Sequence, residues 1–155
     1  MSKQKFKVAV KEAFAGNSYP EGKPFLADFA SDYDRRIFLP MLTDKHWGQL
    51  QPEELIFISN EIWYLTNEAF AYFLPAFLIH KFVGDFNTSI SIYARLIPPD
   101  NLEEFSNFEV LTVLFTLQQR KVIKRFIEHF LDVNINYDRG VEAKRAREYW
   151  NKITQ

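Results

Sequence analysis

At 155 residues, 47% hydrophobic and 25% charged, the chain suits one domain, which at this size buries roughly 70% of its unfolded surface. Five Gly and seven Pro leave no room for a long disordered or repetitive segment, and the absence of Cys excludes disulfides, Cys-ligated zinc, iron–sulfur clusters and thiol catalysis while fitting a cytoplasmic protein. The net charge of −1 is unevenly spread: four Lys stand against one Glu in residues 1–16, six basic against fourteen acidic in 17–116, and nine against five in 117–155. That distribution suits an acidic face for a basic partner or a basic end for nucleic acid.

The opening MSKQKFKVAVKEAF alternates Lys with single apolar residues and lacks the continuous apolar stretch of a secretion signal. Phe6, Val10 and Phe14, with Ala9 and Ala13, recur at helical spacing, and Gly16 is placed to supply a left-handed stop, which predicts a first helix over 3–15. GNSYPEGKP reads as a loop, after which Pro24 at a first helical position starts a short helix through Tyr33.

QPEELIFISNEIWYL reads as a helix from Pro52, with Glu53 and Glu54 at the positive end of its dipole and Leu55, Ile58, Ile62 and Leu65 as its inward stripe. Thr66 caps the next helix, 67–82, in which Phe70, Tyr72, Phe73, Leu74, Phe77 and Leu78 cover almost every direction. A helix apolar all round is a buried one, and this segment is expected at the centre of the core. Its apolar run from Ala69 to Ile79 is 11 residues, too short for a bilayer, which takes about 20. Pro75 has no N–H for the carbonyl of Ala71, a defect worth about 3 kcal/mol in a regular helix. The helix therefore either bends there, wrapping the core, or breaks so that Pro75 begins a second one.

NTSISIYARLIPP alternates Ile90, Ile92, Ala94 and Leu96 with polar residues, as a strand would, and FEVLTVLF is the available partner. A short β-hairpin in 88–115 is one reading of this region; helix or irregular chain is the other. Thr116 and Gln119 then form a capping box for a helix over 117–131, with Val122, Ile123, Phe126, Ile127 and Phe130 inward. A last helix over 139–152 places Ala143, Ala146, Trp150 and Ile153 on one face. The fold class expected is mainly α: a single domain, 1–155, of five to six helices around a Phe-rich core, sixteen Phe supplying interlocking rings.

Few residues are arranged for chemistry. His46, His80 and His129 stand 34 and 49 residues apart, without local metal-ligand spacing, so neither metal nor cofactor is expected. Asp28, Asp32 and Asp34 are the densest carboxylates, but Arg35 and Arg36 follow at ion-pair spacing, which favours a structural acid–base cluster over catalysis. Glycine-rich phosphate loops and nucleophile elbows are absent. Arg120, Lys121, Lys124 and Arg125, with Lys144, Arg145 and Arg147, form the basic C-terminal patches a nucleic acid would require.

Taken together, EAF (Glu12 to Phe14), Pro20, Asp32 with Tyr33, Trp47 with Leu50, and above all LTNEAFAYFLPAFL resemble an uncharacterised bacterial family of small helical proteins, a domain of unknown function. LIPP, FSNF, QQRKVIKRFI and EAKRAREYW extend the resemblance over essentially the whole chain, which departs from the pattern by extra residues between Phe108 and Thr116. The resemblance implies no activity; proteins of this size and character are often toxin-neutralising partners, and an immunity-type role is an analogy at that level.

The leading functional expectation is a non-catalytic cytoplasmic binding protein whose acidic middle third, marked by Glu53, Glu54, Glu61 and Asp32, meets a basic protein partner. A small-molecule pocket at the Pro75 kink, served by Tyr72 and His80, is the alternative, and nucleic-acid binding by the basic C-terminal helices is the third.

Overall fold

A computed structural model describes residues 2–83, 86–134 and 140–155, with side chains described outside 81–89. These residues form eight α-helices: α1 (Lys3–Ala13), α2 (Asp32–Leu42), α3 (Pro52–Asn60), α4 (Asn67–Val83), α5 (Phe86–Leu96), α6 (Leu102–Val113), α7 (Leu117–Val133) and α8 (Val141–Lys152). Single 3-10 turns lie at Trp47–Gln49 and Ile62–Tyr64. The mainly helical class is as expected, while the count exceeds the five to six helices that the sequence predicts.

α4 is the central element, touching α1, α3, α5, α6 and α7. Its residues Ala69, Phe70, Phe73, Leu74, Phe77 and Leu78 are fully or almost fully buried, because α1, α7 and α5 bring Phe6, Val10, Ile123, Phe126 and Ile92 to the same core. Rings interlock across elements, as where Tyr93 of α5 stacks on Phe130 of α7 at 4.2 Å. No described helix is long and apolar enough to cross a membrane.

Pro75 neither ends α4 nor starts a new helix. The carbonyl it leaves without an N–H, that of Ala71, accepts instead from Nδ2 of Asn17 at 3.3 Å, and the neighbouring Tyr72 carbonyl lies 3.4 Å from the same nitrogen. Asn17 is held in turn by Nε2 of the buried Gln119, which donates to its Oδ1 at 3.1 Å. A loop after α1 and the first turn of α7 thus repair the defect in α4, and a tertiary hydrogen bond replaces the missing helical one.

Other helix boundaries follow their capping chemistry. Thr66 accepts from the Ala69 N–H at 3.2 Å, and the Thr116–Gln119 box closes at 3.3 and 2.9 Å. α1 ends at Ala13 with Phe14 as its cap, and the left-handed glycine of the following loop is Gly22, at φ 70°, rather than Gly16. The expected 52–65 helix divides at Glu61, yet Leu55, Ile58, Ile62 and Leu65 all stay buried because the 3-10 turn preserves the inward face.

Three expectations are corrected. Residues 24–30 are not helical: the Ala27 N–H donates to the Tyr64 carbonyl at 2.8 Å and the Thr66 N–H to the Phe25 carbonyl at 2.9 Å, an isolated antiparallel bridge at Leu26 and Leu65. The helix starts at Asp32 instead, because Ser31 and Asp34 form a reciprocal cap. Arg35 and Arg36 donate to the backbone carbonyls of Ala27 and Asp32 rather than pairing with the carboxylates, so the acid–base cluster does not assemble.

The β-hairpin in 88–115 is also overturned, since both halves are helical and no strand exists among the described residues. Ile92 and Leu96 alternate with polar residues, but with Tyr93 they also make a helical face, and Asn101 caps α6 by accepting from the Glu104 N–H at 2.8 Å. The first residue of the expected 139–152 helix lies outside the described residues; α8 buries Ala143, Ala146 and Trp150, whose Nε1 donates to the Leu96 carbonyl at 2.8 Å.

Candidate functional site

Arg95 is the only charged residue between Asp85 and Asp100. On α5 it follows Ile92 by three residues, so the turn that packs Ile92 and Leu96 inward carries the guanidinium inward as well. It is 6% exposed. Nη1 donates to the Ile62 carbonyl, and Nη2 donates to the Leu65 carbonyl at 2.7 Å and to Oδ1 of Asn67 at 3.5 Å. Those carbonyls lie at the start of the 3-10 turn and just after it, where the chain passes from α3 to α4, and the Ile62 carbonyl also accepts from the Leu65 N–H at 3.3 Å.

The guanidinium also lies over the ring of Phe70, 4.4 Å from its centroid, and 5.7 Å from that of Trp63. No carboxylate among the described residues forms an ion pair with it. Burial lowers its pKa to about 10, which leaves it a cation at neutral pH. A cation whose described partners are all neutral acceptors and ring faces is an expensive arrangement in a core whose other buried polar residues, Ser59, Thr112 and Gln119, carry no charge.

Arg95 lines a groove of about 1020 Å³. Pro24 and residues 26–29 form one wall, the 3-10 turn and the start of α4 a second, and the chain leaving α5 through Pro98 and Pro99 a third. α6 closes it with Glu104, Asn107, Phe108 and Leu111, one face of a helix by their three- and four-residue spacing, and α8 adds Glu142 and Arg145. Arg145 is tied down by a 2.5 Å hydrogen bond from its Nε to the Pro98 carbonyl.

The lining carries four carboxylates, Asp28, Asp100, Glu104 and Glu142, all exposed and none in an ion pair among the described residues. Phe29 and Trp63, 68% and 60% exposed, present aromatic faces at its sides. The arrangement combines an acidic rim, apolar and aromatic walls and one cation deep within, which can hold an elongated ligand by contact area and charge.

Of the residues singled out from the sequence, Asp28 and Arg145 line the groove, while those expected to bind a partner or ligand lie elsewhere. Glu53, Glu61 and Asp32 are exposed carboxylates outside the groove. Glu54 is half-buried, with Oε1 at 2.5 Å from the Lys45 ammonium and Oε2 accepting from the Gln51 N–H at 2.9 Å, so it serves the start of α3. Burial by itself would raise its carboxyl pKa, but these two hydrogen bonds outweigh burial and hold it below the ordinary range.

Tyr72 is buried, with its ring edge-on to Tyr19 at 5.3 Å, and lines a second cavity of about 600 Å³ beside Lys23, Lys45 and His46. Burial raises its pKa, opposed by a hydrogen bond with the Trp47 backbone. Neither of these two cavities is lined by Pro75 or His80. Tyr72 and His80, eight residues apart on α4, are separated by about 12 Å of helix.

The basic residues are likewise divided. Arg145 belongs to the groove, Arg120 donates to the Thr112 carbonyl at 3.3 Å, and Lys124 and Lys144 lie near Glu128 and Glu148 on their own helices. Among the described residues no group of three or more His, Asp or Glu is arranged to hold a metal ion.

Arg95 was missed by motif reasoning because it belongs to no motif. The available signal was its isolation, a lone cation in the otherwise uncharged stretch from Phe86 to Pro99.

Comparison with known proteins matches residues 2–154 to a family described as "Family of unknown function (DUF6714)". No curated protein and no solved structure matches the chain.

Proposed function

We propose that this chain, which belongs to DUF6714, is a non-catalytic binding protein that holds a segment of a basic partner protein in the groove beside Arg95. The observation that carries this reading is the charge of the lining. Four carboxylates without ion-pair partners among the described residues line a groove whose sides expose Phe29 and Trp63. Lys and Arg side chains on a bound segment pair with such a rim, while apolar residues cover the aromatic faces. Glu53, Glu61 and Asp32, exposed outside the groove, add to the field that steers a basic partner inward. The absence of cysteine suits a cytoplasmic setting, and an inhibitor or immunity protein is one form that such a binder takes.

The test uses short peptide pools of matched hydrophobicity, one enriched in Lys and Arg and one in Asp and Glu, passed over the immobilised full chain at low salt. Selective retention of the basic pool is expected, weakening with added salt. The Glu104→Lys, Glu142→Lys double variant should lose that selectivity, because both positions are exposed and their reversal leaves the core intact. Equal retention of the two pools overturns the reading.

A further inference from the structure

We propose that Arg95 receives the C-terminal carboxylate of the segment held in the groove, so that the protein reads the end of a partner chain rather than a stretch within one. This rests on the groove being a site for a basic segment, and it names the end of the segment that enters.

A guanidinium has five N–H donors, and the acceptors around Arg95 engage three of them: one on Nη1 and two on Nη2. Nε–H and the second Nη1–H have no acceptor among the described residues. All three engaged acceptors are neutral, so the hydrogen bonds satisfy geometry without cancelling charge. An incoming anion would supply the missing opposite charge, and the groove gives it a route to a side chain that is otherwise 94% covered.

The start of α4 points to the same chemistry. Thr66 and Asn67 line the groove, and although Thr66 Oγ1 takes the Ala69 N–H, the positive end of the dipole of a 17-residue helix lies beside the guanidinium. Asn67 joins the two features, since its Oδ1 is an acceptor for Nη2.

Charge balance selects the kind of anion. A doubly charged phosphate entering alone would pass Asp28, Asp100, Glu104 and Glu142, with only Arg145 to offset them. A chain-terminal carboxylate bears a single charge and arrives attached to side chains that can pair with those four acids. The Trp63 ring beside the guanidinium also offers a face for the last side chain.

The experiment sets the basic peptide pool against itself: one batch carries a free C-terminal carboxylate and the other, of identical sequences, a carboxamide. Equimolar batches compete on the immobilised full chain, and mass spectrometry reads what is retained. Preference for the carboxylate by at least about tenfold is expected, the scale of a lost charge-assisted hydrogen bond. Arg95→Met should abolish the preference while basic peptides are still held by the rim. Should that variant fail to fold, the Arg95 Nε–H resonance of the unsubstituted protein decides: it should shift with carboxylate peptides and stay put with carboxamides.

Equal retention of the two batches overturns the carboxylate assignment and leaves the groove reading standing. Failure to retain either batch removes both. Free acetate that competes away the carboxylate batch at concentrations comparable to peptide would also overturn the proposal, because the anion would then be recognised apart from a chain end.

Discussion

Two neighbouring residues of α4 meet polar intrusions from other parts of the chain, and the intrusions are resolved in opposite ways. At Ala71, the carbonyl orphaned by Pro75 is satisfied by Asn17, which Gln119 holds, a closed relay of neutral amides. At Phe70, the ring lies under a guanidinium whose charge is answered, among the described residues, only by carbonyl and amide oxygens and by aromatic faces, at the edge of an open groove. The first arrangement is complete within the chain and so concerns stability. The second retains unused donors, as buried polar sites do when they are kept for a ligand.

Breaking the relay gives the largest expected change in stability. Asn17→Ala leaves the Ala71 carbonyl and the Gln119 Nε2 without partners, at a cost of about 1–3 kcal/mol in urea denaturation. In a Pro75→Ala background the new N–H can take the Ala71 carbonyl, and the cost of losing Asn17 should fall by about 1 kcal/mol. An identical cost in the two backgrounds would show that Asn17 acts through something other than the proline defect. Arg95→Met should change stability less, by about 1 kcal/mol or under, because lost hydrogen bonds are offset by the removed cost of burying a charge. A loss as large as that of Asn17→Ala would erase the contrast and make Arg95 a structural tie.

A smaller effect sharpens the difference between a carboxylate used by the fold and those left free at the rim. The folded-state pKa of Glu54 is depressed, so its contribution is present above the carboxyl pKa of the unfolded chain and is lost as pH falls through the lower folded value. Glu54→Gln should therefore lower the melting temperature near neutrality and converge with the parent in acid, with a difference under about 1 kcal/mol for a pair that solvent still reaches. Glu104→Gln, with no ion pair among the described residues to lose, should show no such pH dependence; a matching profile would place Glu104 in the fold's own electrostatics.

The part of this contrast that was legible in the sequence is the part written in local patterns. The apolar surround of Phe70 to Leu78, the Thr66 and Thr116 caps and the Pro75 defect are all short-range features, and each appears where the pattern puts it. The repair of that defect was not legible, because Asn17 lies 54 residues from Ala71 and nothing local distinguishes it from other loop asparagines. In 86–113 the period was ambiguous: Ile90, Ile92, Ala94 and Leu96 fit a strand, and only the lack of a partner strand together with the Asn101 cap decides for helices. The groove draws on five separate parts of the chain, so its acids could be seen in sequence but their convergence could not.

The smallest expected stability effect carries the sharpest separation of binding from folding. Trp47 and Trp150 are buried at 7% and 0% exposure, whereas Trp63 is 60% exposed and has its ring 5.7 Å from the Arg95 guanidinium. Trp63→Ala removes mostly solvent-facing surface, so stability should change by no more than about 0.5 kcal/mol. A bound segment that covers this ring should shield its fluorescence from acrylamide, a signal separable from that of the two buried indoles and absent in the variant. Retention of basic peptides should fall by about tenfold, as for an aromatic anchor in a small interface. Shielding without loss of retention would mean that the ring is covered but contributes no affinity, which would place the binding energy in the charged rim alone. If the ring stayed open to acrylamide while peptides were retained, they would sit elsewhere on the acidic middle third, and the free donors of Arg95 would be a cost of anchoring α5 to the turn between α3 and α4.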